Sequence, residues 1–284
     1  MTTATPPMER PPPGRMVELE GRGSAFVREH KGPPGAATLF LVHGWTVTAD
    51  VNWGPSYQGL AEHFSILTMD LRGHGRGIRS SEPFTLEDCA DDAVALARAT
   101  GRDRVIMVGY SMGGPVAQLA WRRHREAVSG LVLCSTATSF GGGPLFYGGL
   151  LALSRVTRLV PTHLSKSFAT NFARRRFAGL TMADWANEQV APSDTSAMLR
   201  AGSALGNFDS AAWIGEVDVP TAVVVTTRDR TVEPPRQRAL AKAIPGAGSF
   251  EVAADHGVCL VNPGRYVPVL LEACQSVARR VGGA

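Results

Sequence analysis

The run Val105-Ile106-Met107-Val108-Gly109-Tyr110-Ser111-Met112-Gly113-Gly114 constrains this chain more than any other stretch. Its apolar, partly β-branched opening reads as a buried strand, and the following Pro115-Val116-Ala117-Gln118-Leu119-Ala120-Trp121 has helical spacing. Between them lies G-x-S-x-G, so the chain passes from strand to helix through one serine. Such a turn forces Ser111 into a strained backbone conformation, and Gly109 and Gly113 leave room for strand and helix to approach. The expected result is an exposed hydroxyl at a helix N-terminus, where free N–H groups and the helix dipole favour a developing anion. A tight turn that merely contains serine would share the pentapeptide; the flanking strand and helix separate the two readings.

A serine hydroxyl is a weak nucleophile and needs a base, which in turn needs an orienting acid. The rest of the sequence shows where they can come from. Residues 16–20 and 24–29 read as two strands around Gly21-Arg22-Gly23, a hairpin. Residues 37–42 form a mostly apolar run ending in His43-Gly44-Trp45. A helix is expected over 53–64, and a strand over 65–70 closes in Leu71-Arg72-Gly73-His74-Gly75-Arg76-Gly77. Thr85 reads as an N-cap for a helix running to about Thr100, with acids in its first turn. After the Ser111 helix, 128–135 is another strand.

The alternation then stops. Residues 138–215 hold no strand-like run, and helical patterns cover 145–159, 161–180, 182–189 and 193–205. We read this stretch as a helical cap inserted into a sheet domain whose two parts are 16–137 and 216–284. The sheet pattern resumes with strands at 219–226 and 249–253 and helices at 235–244 and 263–281. Strands alternating with helices imply an α/β fold, a mostly parallel sheet covered on both faces, with functional groups at the carboxyl ends of strands. Asp229 follows one late strand and His256 follows the last, so Ser111, Asp229 and His256 can meet at one rim.

Those residues, with His43-Gly44-Trp45, Asp70-Leu71-Arg72-Gly73-His74-Gly75 and Val232, give the chain its resemblance to α/β-hydrolase-fold serine hydrolases of the bacterial esterase, lipase and haloperoxidase-like type. The chain order Ser, Asp, His is the order of that fold's triad. It departs at Thr226 and Asp255, where such proteins often carry glycine. The resemblance implies Ser111 as nucleophile, His256 as general base and Asp229 as its orienting acid. It also implies the N–H groups of Trp45 and Met112 as oxyanion donors, with no metal or organic cofactor. His43 and His74 read as loop-structuring, and Asp70, Asp255 and Glu233 as weaker competitors for the acid. The stretch from Leu145 to Leu153 reads equally as an acyl pocket or as cap packing.

Serine at the turn supports acyl-enzyme chemistry, so cleavage of a small-molecule carboxylic ester is the first expectation. Carbon–carbon bond hydrolysis or cofactor-free perhydrolysis with the same triad is the second. A non-catalytic ligand-binding protein of the same fold is the third, although a pure binder has no need of an intact triad. The 284 residues carry a net charge of +4 with scattered charges and no nucleic-acid motif. The one dense basic run, Arg174-Arg175-Arg176, reads as a solvated helix face. Residues 1–15, Pro-rich and without an apolar core, read as a disordered leader rather than a secretory signal. No stretch is long and apolar enough to insert stably in a membrane. Cys89, Cys134, Cys259 and Cys274 show no metal spacing, and reduced thiols in a cytoplasm fit them.

Overall fold

Successive residues of a strand face opposite sides, and two of the central strands show it. The computed structural model describes residues 11, 13–159 and 182–283. Its strands are β1 (Gly14–Leu19), β2 (Gly23–His30), β3 (Thr38–Val42), β4 (Ser65–Met69), β5 (Val105–Tyr110), β6 (Val128–Cys134), β7 (Thr221–Thr226) and β8 (Gly248–Val252). Leu39 and Leu41 of β3 enter one core; Phe40 and Val42 enter the other. Ile106, Val108 and Tyr110 of β5 side with the first, Val105 and Met107 with the second. Both faces are apolar because both are covered.

The strands form one sheet in the order β1-β2-β4-β3-β5-β6-β7-β8. β1 pairs antiparallel with β2 and β2 with β4; every later pairing is parallel. The expected hairpin is present, with its first strand beginning at Gly14. The helices are α1 (Ala49–Trp53), α2 (Tyr57–Ala61), α3 (Leu86–Ala99), α4 (Gly113–Arg123), α5 (Gly143–Leu159), α6 (Ala183–Val190), α7 (Thr195–Gly206), α8 (Pro234–Ala243), α9 (Val258–Val261) and α10 (Pro263–Gly282). Helices α3, α4 and α8 cover one face of the sheet, while α1, α2, α9 and α10 cover the other. Thr85 caps α3 as expected, its hydroxyl accepting from Asp88 N–H at 3.0 Å.

One expected helix is different. The stretch 53–64 is not a single helix: α1 starts earlier, capped by Thr48, and Gly54–Ser56 makes a 3-10 turn before α2. Pro55 explains the break, because it cannot donate the hydrogen bond a continuous helix would need there. Between β6 and β7 the chain leaves the sheet through α5, α6 and α7. Entry and exit lie side by side: Ser139 and Asp209 form an isolated bridge, and Ser210 N–H donates to the Thr138 carbonyl at 2.9 Å. The helix expected over 161–180, the run Arg174-Arg175-Arg176 and most of the expected leader lie outside the described residues, while Gly14 and Arg15, expected at the end of that leader, belong to β1. No helix among the described residues is long and apolar enough to cross a membrane. All four cysteines are buried, with no disulfide among the described residues.

Candidate active site

The turn after β5 has the geometry its glycines require. Ser111 has φ +53°, a left-handed conformation that side chains other than glycine's rarely adopt. A Cβ on Gly109 would collide with the Gly113 carbonyl, and one on Gly113 with the Val42 carbonyl. Strand, turn and helix can therefore pack only with glycine at both places. Ser111 N–H still reaches the Cys134 carbonyl at 2.9 Å, and Thr136 Oγ1 donates to the Ser111 carbonyl at 2.8 Å. Both ends of the strained residue are thus held, while its hydroxyl stands at the N-terminus of α4.

His256 follows β8. Its Nε2 lies 3.0 Å from Ser111 Oγ, and its Nδ1 lies 2.7 Å from Asp229 Oδ2. A carboxylate can only accept, so Nδ1 donates and Nε2 is left to accept from the serine hydroxyl. Tyr110 OH donates to the His256 carbonyl at 2.6 Å, and Asp255 accepts from His256 N–H at 2.6 Å. Asp255 therefore holds the loop and does not compete for the imidazole.

Asp229 is buried and saturated with donors. Oδ1 accepts from Thr231 N–H at 2.8 Å and Val232 N–H at 2.9 Å. Oδ2 accepts from Thr226 Oγ1 at 2.7 Å and Gln237 Nε2 at 3.2 Å as well as from His256. Burial pushes its pKa up, but the hydrogen bond and charge of His256, then Thr226 and Val232 N–H, outweigh it and hold the carboxyl below its ordinary value. Thr226, one of the two departures noted in the sequence, thus supplies a donor. Gln237 was not singled out in the sequence. Its signal is a polar residue on the buried stripe of α8, beside Leu240.

The loop after β3 closes the site from the other side. His43 Nδ1 donates to the Gly44 carbonyl at 2.7 Å, while its Nε2 accepts from Leu71 N–H at 2.9 Å. One neutral tautomer satisfies both contacts, and burial, its largest perturbation, pushes the pKa down to about 4. His74, also buried, is pushed down to about 3, first by burial and then by His43. Gly44 N–H donates to Asn52 Oδ1 at 2.9 Å. With its carbonyl held by His43, the next peptide presents the Trp45 N–H on the opposite edge. Met112 is the N-cap residue of α4 and carries no side-chain cap. Among the described residues, the N–H groups of Trp45 and Met112 donate to no protein acceptor.

Asp70 sits apart from the histidine. Its carboxylate accepts from Ala49 N–H and Arg76 N–H, both at 2.9 Å, tying the β4 loop to the start of α1. Glu233 pairs with Arg236 at 3.2 Å. A cavity beside Ser111 and His256 is walled by Gly44, Trp45, Val47, Val51, Asn52, Tyr110, Cys259, Leu260 and Val261. Of the two expectations for 145–153, cap packing describes Tyr147, whose ring is buried against Gly206. Leu145 and Phe146 point outward, and no residue of that stretch walls this cavity. The short α9, unforeseen in the sequence, supplies apolar wall instead.

Comparison with known proteins bears on the fold and the family. Over 106 residues the chain is 36% identical to a pimeloyl-[acyl-carrier protein] methyl ester esterase of Sodalis glossinidius, a match covering 37% of this chain and 39% of that protein. The chain thus aligns with about two-fifths of that relative's length. Two solved structures share the fold over nearly the whole chain. The enol-lactonase of Burkholderia xenovorans LB400 superposes with a TM-score of 0.76 at 22% identity, covering 92% of this chain and 100% of that one. A thermophilic esterase of Thermogutta terrifontis gives 0.77 at 21% identity, covering 94% and 99%. A family model described as "alpha/beta hydrolase fold" matches residues 37–263, most of the sheet and the Ser111, Asp229 and His256 loops together, and the chain belongs to that family.

Proposed function

We propose that this protein is a serine hydrolase that cleaves carboxylic esters through an acyl-enzyme on Ser111. The observation that carries the reading is the aligned pair of contacts, Ser111 Oγ to His256 Nε2 at 3.0 Å and His256 Nδ1 to Asp229 Oδ2 at 2.7 Å. The name of the Sodalis glossinidius relative, a methyl ester esterase, supports the same chemistry.

In this reading Ser111 Oγ attacks the ester carbonyl as its proton passes to His256 Nε2. The carbonyl oxygen becomes an oxyanion that accepts from Met112 N–H and Trp45 N–H. Backbone donors suffice there, so neither side chain has to reach the oxyanion itself. Removing one such donor typically costs about 3–4 kcal/mol of transition-state stabilisation. Asp229 keeps the imidazole in the accepting tautomer and stabilises its charged form. The C–O bond to the alcohol then breaks, and the alcohol takes the proton from Nε2. A water gives a proton to Nε2 and attacks the acyl carbon, and Ser111 leaves with that proton restored. The apolar walls of the cavity suit a hydrocarbon portion of the substrate.

A series of p-nitrophenyl esters of graded chain length tests the reading. Wild-type protein should turn over at least part of the series, and Ser111→Ala should reduce turnover to background. Equal turnover by wild type and Ser111→Ala would overturn it.

A further inference from the structure

The indole of Trp45 reaches far from the loop that carries it. Its Nε1 donates to the Met198 carbonyl of α7 at 2.7 Å. One helical turn on, a Cβ on Gly202 would collide with Trp45 Cζ2, and it would lie only 2.8 Å from Cη2. The same Cβ would stand 2.7 Å from Leu150 Cδ1 of α5. The ring therefore sits in a notch that exists because residue 202 has no side chain, with the Met198 carbonyl fixing its polar edge. Residues four apart lie on one helix face, so acceptor and notch are presented together.

The same residue contributes the backbone N–H proposed above as an oxyanion donor. That peptide has one anchor within the sheet domain, His43 on the Gly44 carbonyl, and the peptide before it has another, Asn52 on the Gly44 N–H. The next residue, Thr46, has φ +65°, so the backbone just beyond Trp45 is strained. We propose that α7 sets the oxyanion donor of the sheet domain: Gly202 is a positioning residue for the Trp45 N–H, acting through the seated indole. This rests on the ester-hydrolase reading and extends it to the helices between β6 and β7, which then serve the chemical step.

A ring displaced by Gly202→Ala tilts the Gly44–Trp45 peptide away from the oxygen it should meet. The donor acts on charge that exists only in the transition state, so kcat should fall with KM unchanged. A whole donor is worth about 10²–10³ in kcat; a displaced one should cost about 10- to 100-fold. Alanine is a better helix former than glycine, so α7 itself is not weakened. The experiment measures kcat and KM per active site, titrated with a fluorophosphonate, for four proteins: wild type, Gly202→Ala, Trp45→Leu and the double variant. Inhibition by an aryl trifluoromethyl ketone, which forms an oxyanion-like adduct on serine, is measured alongside. We expect Gly202→Ala to lose kcat and trifluoromethyl ketone affinity by similar factors. In the Trp45→Leu background the same substitution should cost nothing, since no indole occupies the notch. If Gly202→Ala does not fold, Trp45→Phe, which keeps the backbone N–H but loses the indole donor, should lower kcat several-fold at constant KM; unchanged kcat there would sink the idea. Unchanged kcat per titrated site in Gly202→Ala, or an equal loss in both backgrounds, would overturn the proposal and leave ester hydrolysis standing. Absence of ester turnover by wild type would overturn both.

Discussion

Two buried histidines should make this fold unusually sensitive to mild acid. His43 and His74 have ordinary pKa values of 6.5 and are pushed down to about 4 and about 3 by burial. Between those values and 6.5 the unfolded chain binds a proton at each site and the folded chain does not. Stability is therefore complete above about pH 6.5 and is lost as pH falls towards 4. From about pH 7.5 to pH 5 each histidine should cost about 2 kcal/mol, so the pair costs about 4 kcal/mol, a large share of an ordinary domain's 5–15 kcal/mol. Asp229, held low, yields its share only below its ordinary value of 3.8. Asp70, raised by burial, works in the opposite direction. Urea denaturation at half-unit pH steps should give a slope approaching about 2.5 kcal/mol per pH unit near pH 5.5. Among the described residues His74 makes one hydrogen bond, from Nδ1 to the Arg72 carbonyl at 3.1 Å, and its Nε2 meets no partner. Asparagine can supply that donor, so His74→Asn should cut the slope to about half. Stability that is flat from pH 7.5 to 5, or a slope unchanged in His74→Asn, would refute the reasoning.

Two further outcomes follow from the site. Asp229→Asn should lower kcat by about 10⁴, because the amide favours the wrong imidazole tautomer, whereas Asp255→Asn, which still offers an oxygen to the His256 N–H, should lose less than about tenfold; steady-state kinetics on one ester decides, and the reverse ranking would name the wrong carboxylate. Gly109→Ala drives a methyl into the Gly113 carbonyl, so thermal melting should show a loss above about 3 kcal/mol, and a near-neutral result would mean that strand and helix are not packed as closely as described.

Legibility in the sequence followed the range of the interactions involved. Ser111 was readable because strand, turn and helix are contiguous, and the clash at Gly109 involves a residue four positions away. Asp229 and His256 were readable because a parallel sheet delivers the ends of its strands to one rim. The expected helix at 53–64 failed where Pro55 interrupts it and the cap lies earlier, at Thr48. Gln237 was invisible for another reason. Its amide contacts Thr226, Asp229 and Val232, and nothing local distinguishes it from a surface glutamine except its place on the buried stripe of α8. The indole seat on α7 joins residues 153 positions apart. No periodicity registers such a pairing, and a glycine inside a helix reads only as a weak former.

The central claim is that Ser111 is the nucleophile of an ester hydrolase, and covalent labelling tests it most directly. The folded protein is treated with a fluorophosphonate, digested, and its peptides are sequenced by mass spectrometry. One adduct on Ser111 is expected, formed at a rate that collapses in His256→Ala. An adduct on another serine, or none on protein shown to be folded by circular dichroism, would contradict the account.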